Sequence, residues 1–121
     1  MDMAALVKKV KQRPDFGRAG MVLCHNGVVR GTTADGKQKV TALTVQVDHD
    51  QLAQVIAEHK EMPGIIDIQA EIAEDRQLNV GDDIMLVVVA GDVRTNVIPA
   101  MASLIDAIKS RVTSKTQAYE E

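Results

Sequence analysis

The stretch "DIMLVVVA", residues 83–90, is apolar at every position from Ile84 to Ala90. A strand with one face in water alternates apolar and polar residues, whereas a strand covered on both faces is apolar throughout. The run is also far shorter than the roughly 20 apolar residues that a membrane-spanning helix needs. It therefore predicts the central strand of a sheet that is covered on both faces.

Three further strands are predicted before this central one. Residues 65–73, "IIDIQAEIA", alternate strictly and place Asp67 on the polar face, and residues 39–47, "KVTALTVQV", form a second half-buried strand. Residues 19–30, "AGMVLCHNGVVR", are mostly apolar but are interrupted around Asn26–Gly27. Either a tight turn or a β-bulge fits that interruption.

Apolar residues spaced three and four apart predict three helices, which cover residues 4–10, 52–59 and 97–112. The first ends before Pro14, and the last begins near Thr95 or Asn96, so that Pro99 lies in or near its first turn. This order of elements predicts an α+β fold with an antiparallel or mixed sheet and helices packed on one side. From the pattern alone, the default architecture is a ferredoxin-like sandwich.

The chain is predicted to be one domain over residues 1–121. A chain of 121 residues that is 45% hydrophobic and 26% charged can bury a single core without disulfides or metals. Residues 1–18 are expected to form an N-terminal helix and linker, and residues 116–121 a flexible tail.

The composition argues against two classes of partner and indicates a compartment. A net charge of −3, one Phe, one Tyr and no Trp disfavour a nucleic-acid surface, which is basic and stacks bases on aromatic rings. No segment is apolar enough to predict a membrane span. Cys24 is the single cysteine, so no intramolecular disulfide can form, and we predict a cytoplasmic protein.

The usual catalytic and metal-binding motifs are missing from the sequence. The three histidines, His25, His49 and His59, are far apart, and no glycine-rich phosphate loop occurs. We therefore predict no metal site, and structural or surface roles for His25 and His59. Cys24 is expected to be a small buried apolar group. The carboxylates of "DHD" (48–50) and "EIAED" (71–75) are expected to form a helix cap and a solvent face.

Four basic residues leave two alternatives open. Arg30 follows the first strand, Arg94 precedes the last helix, and Lys109 and Lys115 lie near the end of that helix. Guanidinium groups and helix N-termini bind phosphates and carboxylates, so the four residues can form an anion site. Their spacing alone favours a solvated basic fringe over such a site.

The segments of the chain resemble, in their order, the large catalytic subunit of molybdopterin synthase from about Ala19 to Lys115. The stretches that carry the resemblance are "AGMVLCHNGVVRGTT", "VTALTVQVDHDQLAQVIAEH", "LNVGDDIMLVVVAG" and "VRTNVIPAMASLIDAIKSR". The Gly-x-Val-Arg end of the first stretch places Arg30 on the family's pocket arginine, with Val28 and Val29 beside it. The last stretch places Arg94 on a second arginine, after Val93, and Lys109 on the catalytic lysine.

The resemblance implies a fold and a reaction. The fold would be the α/β-hammerhead, which replaces the ferredoxin-like default. The catalytic residues would be Lys109 and Lys115, and the substrate-binding residues Arg30, Arg94, Val28, Val29 and Val93. The enzyme would be a sulfurtransferase of molybdenum cofactor biosynthesis that converts cyclic pyranopterin monophosphate to molybdopterin. The sulfur would come from a thiocarboxylate, and no cofactor would be permanently bound.

The resemblance also implies partners. The chain would form a homodimer at the centre of a heterotetramer, flanked by two small ubiquitin-like sulfur-carrier subunits. The Gly-Gly tail of each carrier would enter the pocket of the large subunit.

The sequence departs from the family pattern at several positions. Val93 stands where the family has a histidine, and "SRVTSK" (110–115) lacks the proline and the aromatic residue that usually follow the catalytic lysine. Three hypotheses therefore remain. The chain is a divergent synthase subunit, a catalytically inactive homologue that binds a ligand or protein, or a structural homodimer whose cations are surface groups.

Overall fold

The computed structural model describes residues 1–120, which form an α+β fold with two antiparallel three-stranded sheets. Its helices and strands are α1 (Met3–Lys11), β1 (Met21–Val28), β2 (Val40–Val47), α2 (His49–Lys60), β3 (Ile65–Ile72), β4 (Leu78–Asn79), β5 (Asp83–Gly91), α3 (Arg94–Ala107) and β6 (Thr113–Tyr119). A 3₁₀ turn (Phe16–Arg18) follows α1, and a π-helix (Ile108–Val112) joins α3 to β6. The strand orders are β1-β5-β3 and β4-β2-β6. The α+β class is thus confirmed.

Strand β5 is the centre of the first sheet, as its apolar sequence predicts. Leu86, Val88 and Ala90 on one face pack against α1, at Leu6 and Val10. The alternate residues Met85, Val87 and Val89 pack on the other face against α2 and α3. Each fully buried Val or Leu contributes about 1.5–3 kcal/mol, so both faces of β5 need a cover.

The expectation that the helices pack on one side is therefore wrong for α1. Helix α1 lies on the opposite face of the first sheet from α2 and α3. The reason lies in β5 itself, because a strand that is apolar on both faces would otherwise leave one of them in water.

The expected flexible tail is instead part of a strand. Residues 113–119 form β6, which pairs antiparallel with β2, for example at Thr113–Val47 and Lys115–Val45. Most of the β6 side chains are exposed, so the strand is held by its backbone hydrogen bonds to β2. Hydrophobic patterning cannot detect such a strand. Glu121, the last residue of the predicted tail, lies outside the described residues.

The predicted interruption in the first strand lies opposite a β-bulge, whose extra residue is Ile84 of β5. The pairing of β1 with β5 shifts register between Gly27 and Val28, where Gly27 faces Met85 and Val28 faces Asp83. The bulge comes just before Arg30, so it sets the direction in which the chain leaves the sheet.

A buried carboxylate on β3 is an unexpected feature of the core. Asp67, which the alternation places on a polar face, is 1% exposed, because α1 covers that side of the sheet. Its Oδ1 lies 3.4 Å from Nζ of Lys60 and 3.7 Å from Nη1 of Arg13, and its Oδ2 accepts a hydrogen bond from Gln69 at 3.1 Å. Two half-exposed cations thus neutralise a charge inside the fold.

We expect the double variant Arg13→Ala/Lys60→Ala to lose about 3 kcal/mol of unfolding free energy, because it leaves the buried Asp67 carboxylate unpaired. Asp67→Asn should lose less unfolding free energy, because Arg13 and Lys60 can then turn their charged groups fully into water. Urea unfolding followed by circular dichroism measures both changes. The exposed pair Lys8→Ala/Lys9→Ala is the matched control. A double variant no less stable than Asp67→Asn would contradict this assignment.

Candidate functional site

A cavity of about 270 Å³ opens where the end of β1, the π-helix and β6 meet. Three of the four basic residues singled out in the sequence line it, namely Arg30, Lys109 and Lys115. Its apolar floor is formed by strand residues, namely Leu43, Ile72, Ile84 and Met85. The cavity therefore combines an apolar floor with a cationic rim.

The π-helix positions Lys109. Ile108 and Val112 at its two ends are 0% and 4% exposed and anchor the turn in the core. Lys109 follows Ile108 on this widened turn and is exposed to the cavity. Short π-helical turns at the end of an α-helix re-aim side chains and occur often at functional sites.

Strand β6 positions Lys115. Thr113, Lys115 and Gln117 alternate along β6 and all line the cavity, as the two-residue period of a strand requires. Partial burial lowers the pKa of the Lys115 ammonium, and the positive charges of Lys109 and Arg30 lower it further. Lys115 therefore releases its proton more readily than an ordinary lysine.

The end of β1 and the residues after it supply the rim opposite the two lysines. Val29 is 3% exposed, and its N–H donates to the carbonyl of Asp82 at 2.9 Å, which fixes the backbone just before Arg30. Val28, which is 50% exposed, also lines the cavity. Both valines thus lie where the family resemblance implies, beside Arg30.

Arg94 and Val93 lie elsewhere in the same chain. Both are exposed at the start of α3 and do not line the cavity. Arg94 precedes Lys109 by 15 residues of helix, which corresponds to about 22 Å at a rise of 1.5 Å per residue. One chain therefore does not bring all the predicted cations together. The substrate-binding roles of Arg94 and Val93 stay predictions.

His25 is a cavity residue that the sequence interpretation missed. Its side chain is half-buried and lines the cavity together with Gly27, two residues further along the same face of β1. Burial lowers its pKa below the ordinary value of 6.5, and the charge of Lys109 lowers it further. The sequence offered one indication that His25 belongs to the site, which is its position on the strand that leads directly into Arg30.

The other histidines and the cysteine lie outside the cavity. His59 has the structural role predicted for it, because Nδ1 donates to the Val55 carbonyl at 2.7 Å and Nε2 is hydrogen-bonded to Oγ of Ser103 at 2.9 Å. His49 pairs with Glu74. The prediction that Cys24 is buried is wrong, because Cys24 is exposed on the opposite face of β1 from His25.

The carboxylates of the "DHD" stretch act as expected, since Asp48 caps α2 by accepting from the N–H of Gln51 at 3.0 Å. Within residues 1–120, no group of three or more His, Cys, Asp or Glu side chains is placed to hold a metal ion. None of the helices in that range has the length and apolar character that crossing a membrane requires.

Comparisons with known proteins give consistent matches. A family model described as "MoaE protein" matches residues 1–111. The chain resembles the crystal structure of molybdopterin synthase from Staphylococcus aureus with 25% identity and a TM-score of 0.72, over 86% of this chain and 77% of that one. No curated protein matches in sequence.

Two more distant likenesses show the fold alone. Molybdopterin cofactor biosynthesis protein E from Burkholderia multivorans ATCC 17616 has a TM-score of 0.76 at 23% identity, over 99% of this chain and 84% of that one. A complex of subunits 1 and 2 of the molybdopterin-converting factor from Helicobacter pylori 26695 contains a chain that matches with a TM-score of 0.69 at 16% identity. That match covers all of this chain (100%) and 85% of the other.

Proposed function

The chain belongs to the MoaE protein family and acts in molybdenum cofactor biosynthesis, and we propose that it is the catalytic subunit of a molybdopterin synthase. This membership confirms the family resemblance found in the sequence motifs. The proposed reaction transfers sulfur from the thiocarboxylate of a small carrier subunit to cyclic pyranopterin monophosphate. The cavity at the junction of β1, the π-helix and β6 is the proposed site.

The observation that carries the proposal is the charge of this cavity. Arg30, Lys109 and Lys115 line it, and among residues 1–120 no carboxylate does. Both proposed reactants are anions, since one carries a phosphate and the other a thiocarboxylate. Charge-assisted hydrogen bonds to such groups are about twice as strong as neutral ones, so the cavity favours these reactants.

The residues divide into two roles in this proposal. Arg30 binds the phosphate, because its planar fork of N–H donors matches phosphate oxygens in bidentate fashion. Lys109 faces the carbonyl of the carrier's terminal group and stabilises the negative charge that forms there. Lys115, whose pKa is lowered by burial and by Lys109 and Arg30, acts in its protonated form as the proton donor at the reacting sulfur. The apolar floor, including Ile84, accepts the flat pterin ring.

The proposed partner is a small carrier subunit that ends in Gly-Gly. The Helicobacter pylori structure similar to this chain is a complex of two subunits of the molybdopterin-converting factor, which supports such a partner. A Gly-Gly tail has no side chains, so it can reach into a narrow cavity where a bulkier tail would clash.

We also propose a homodimer, because Arg94 is too far from the cavity of its own chain and can reach only the cavity of a second copy. Within one chain the helix places it about 22 Å from Lys109. Val93 and Ile98, which flank Arg94, are 51% and 50% exposed, and Val28 on the cavity rim is 50% exposed. Burying these apolar side chains against one another would bring Arg94 of one copy to the cavity of the other.

Reconstitution tests the proposed function. The purified chain is mixed with a thiocarboxylated small subunit and cyclic pyranopterin monophosphate, and molybdopterin is measured as its fluorescent oxidation product. We expect product in proportion to the thiocarboxylate supplied, at two sulfurs per molecule. A folded chain that binds the carrier but forms no product would reject the synthase and favour the inactive binding module.

A further inference from the structure

The cavity contains a single side chain suited to accept a proton at neutral pH. Four titratable groups among residues 1–120 line it, namely His25 from β1, Arg30 after β1, Lys109 from the π-helix and Lys115 from β6. The residues that β2, β3 and β5 contribute to its lining are apolar. Arginine stays protonated at all relevant pH values, and lysines are protonated at neutral pH unless strongly perturbed. This leaves His25 as the candidate base.

The surroundings of His25 keep its imidazole neutral. Burial of the ring is the main cause of its lowered pKa, and the positive charge of Lys109 adds to the effect. No carboxylate among the described lining residues offsets these two effects by stabilising the protonated ring. At neutral pH the imidazole therefore has one nitrogen with a free lone pair.

The backbone of β1 fixes the point from which the His25 side chain enters the cavity. His25 pairs with Val87 of the central strand β5, which fixes its backbone. A Cβ on Gly27 would lie 3.4 Å from Nε2 of His25, so the ring extends over the glycine and along the cavity wall. Both residues line the cavity, so the ring lies on its wall within reach of a bound molecule.

The proposed reaction has a step that needs a base. When the thiocarboxylate sulfur bonds to a carbon of the pterin, it is still bonded to the acyl carbon of the carrier, which makes a thioester. The carrier leaves only when water attacks that acyl carbon. The new C–O bond forms, the acyl C–S bond breaks, and the electron pair stays on sulfur as a thiolate. The carrier is released as a carboxylate, so two protons are lost for each water consumed, and no oxidant or reductant is needed.

We propose that His25 accepts the proton of this water and that Lys109 and Lys115 stabilise the departing thiolate. The inference rests on the proposed synthase function and assigns a residue to one of its steps, the hydrolysis of the thioester. His25 passes its proton to solvent, and the second proton leaves with the carboxylic acid as it ionises. A neutral imidazole at the edge of a cationic cavity suits this role, because cations lower the cost of the negative charge that forms next to it.

The test is the variant His25→Gln, which keeps a polar side chain without a titrating nitrogen. Single-turnover reactions are quenched in acid and analysed by mass spectrometry for the thioester that links carrier and pterin. We expect carrier release to slow about 100-fold and the thioester to accumulate. Carrier binding should be unchanged. His49→Gln, a change at an exposed histidine, is the matched control and should behave as wild type.

The pH profile gives a readout that a merely structural role would not change. Release by wild type should rise with pH through the pKa of His25, below 6.5, and then level off, since the neutral ring is the active form. His25→Gln should lack this rise.

Two results would overturn the inference while leaving the synthase intact. One is product formation by His25→Gln at the wild-type rate with the wild-type pH profile. The other is an NMR titration of the folded wild type in which His25 has an ordinary or raised pKa, or in which Lys109→Met fails to increase that pKa. If wild type itself makes no molybdopterin, both the proposed function and this inference fail.

Discussion

Replacing Lys109 by alanine is expected to reduce molybdopterin formation by about 100-fold to 1000-fold, with carrier binding retained. The residue lies on the π-helix and faces the cavity, and the proposal assigns it the charge that forms on the carrier's carbonyl. Removing one such preorganised donor typically costs that much. Because the side chain is exposed in the isolated chain, its loss should not affect folding. Single-turnover product formation, with the melting temperature measured in parallel, checks both points.

Two further variants sharpen this prediction. Lys9→Ala, on the exposed side of α1, is the matched control and should leave the rate unchanged. Lys109→Arg keeps the charge but cannot transfer a proton, so activity close to wild type would indicate an electrostatic role. Full activity of Lys109→Ala would exclude this lysine from the chemistry.

A mixture of two strongly impaired variants is expected to reach about one quarter of the wild-type rate, if Arg94 acts on the cavity of a second copy. Lys109→Ala damages the cavity of its own chain, whereas Arg94→Ala damages the cavity of its partner. In a mixed dimer, one cavity carries both defects and the other carries neither. When equal amounts are denatured and refolded together, half of the dimers are mixed, and each has one intact cavity of two.

The recovery of activity in the mixture shows whether Arg94 acts on the cavity of its own chain or on the cavity of its partner. Each variant alone should be strongly impaired, Arg94→Ala by about 10-fold or more through the lost phosphate contact. If Arg94 served its own chain's cavity, every cavity in the mixture would carry a defect, and no activity would return. Light scattering of each variant confirms that dimers form before the rates are compared. A monomeric wild type would contradict the arrangement directly.

The framework of the fold could be predicted from hydrophobic periodicity, because burial forces apolar side chains into strand and helix patterns. The apolar stretch in β5 predicted a strand covered on both faces, and the structure confirms this. Strand β6 could not be predicted, because it is stabilised by backbone hydrogen bonds to β2 and its side chains carry no apolar pattern. The covered second face of β5 followed from the sequence, but periodicity did not show that α1 is the element that covers it.

The site was only partly predictable, for reasons of distance and surroundings. The family resemblance placed Arg30, Arg94, Lys109 and Lys115 in one site, and within a single chain all of them except Arg94 line the cavity. Periodicity could not show that His25 joins them, because its role depends on the charge of Lys109, which is remote in sequence. Asp67 was missed for a similar reason, since the alternation gave a polar face and only the packing of α1 buried it.

The claim on which the account depends is that one cationic cavity holds the phosphorylated pterin. A crystal structure of the chain grown with cyclic pyranopterin monophosphate measures this most directly. We expect the pterin over the apolar floor, with its phosphate bound by Arg30 and by Arg94 of a second copy, and Lys109 and Lys115 beside the reacting carbons. A pterin bound on another surface, or a cavity still empty at saturating ligand, would contradict the account.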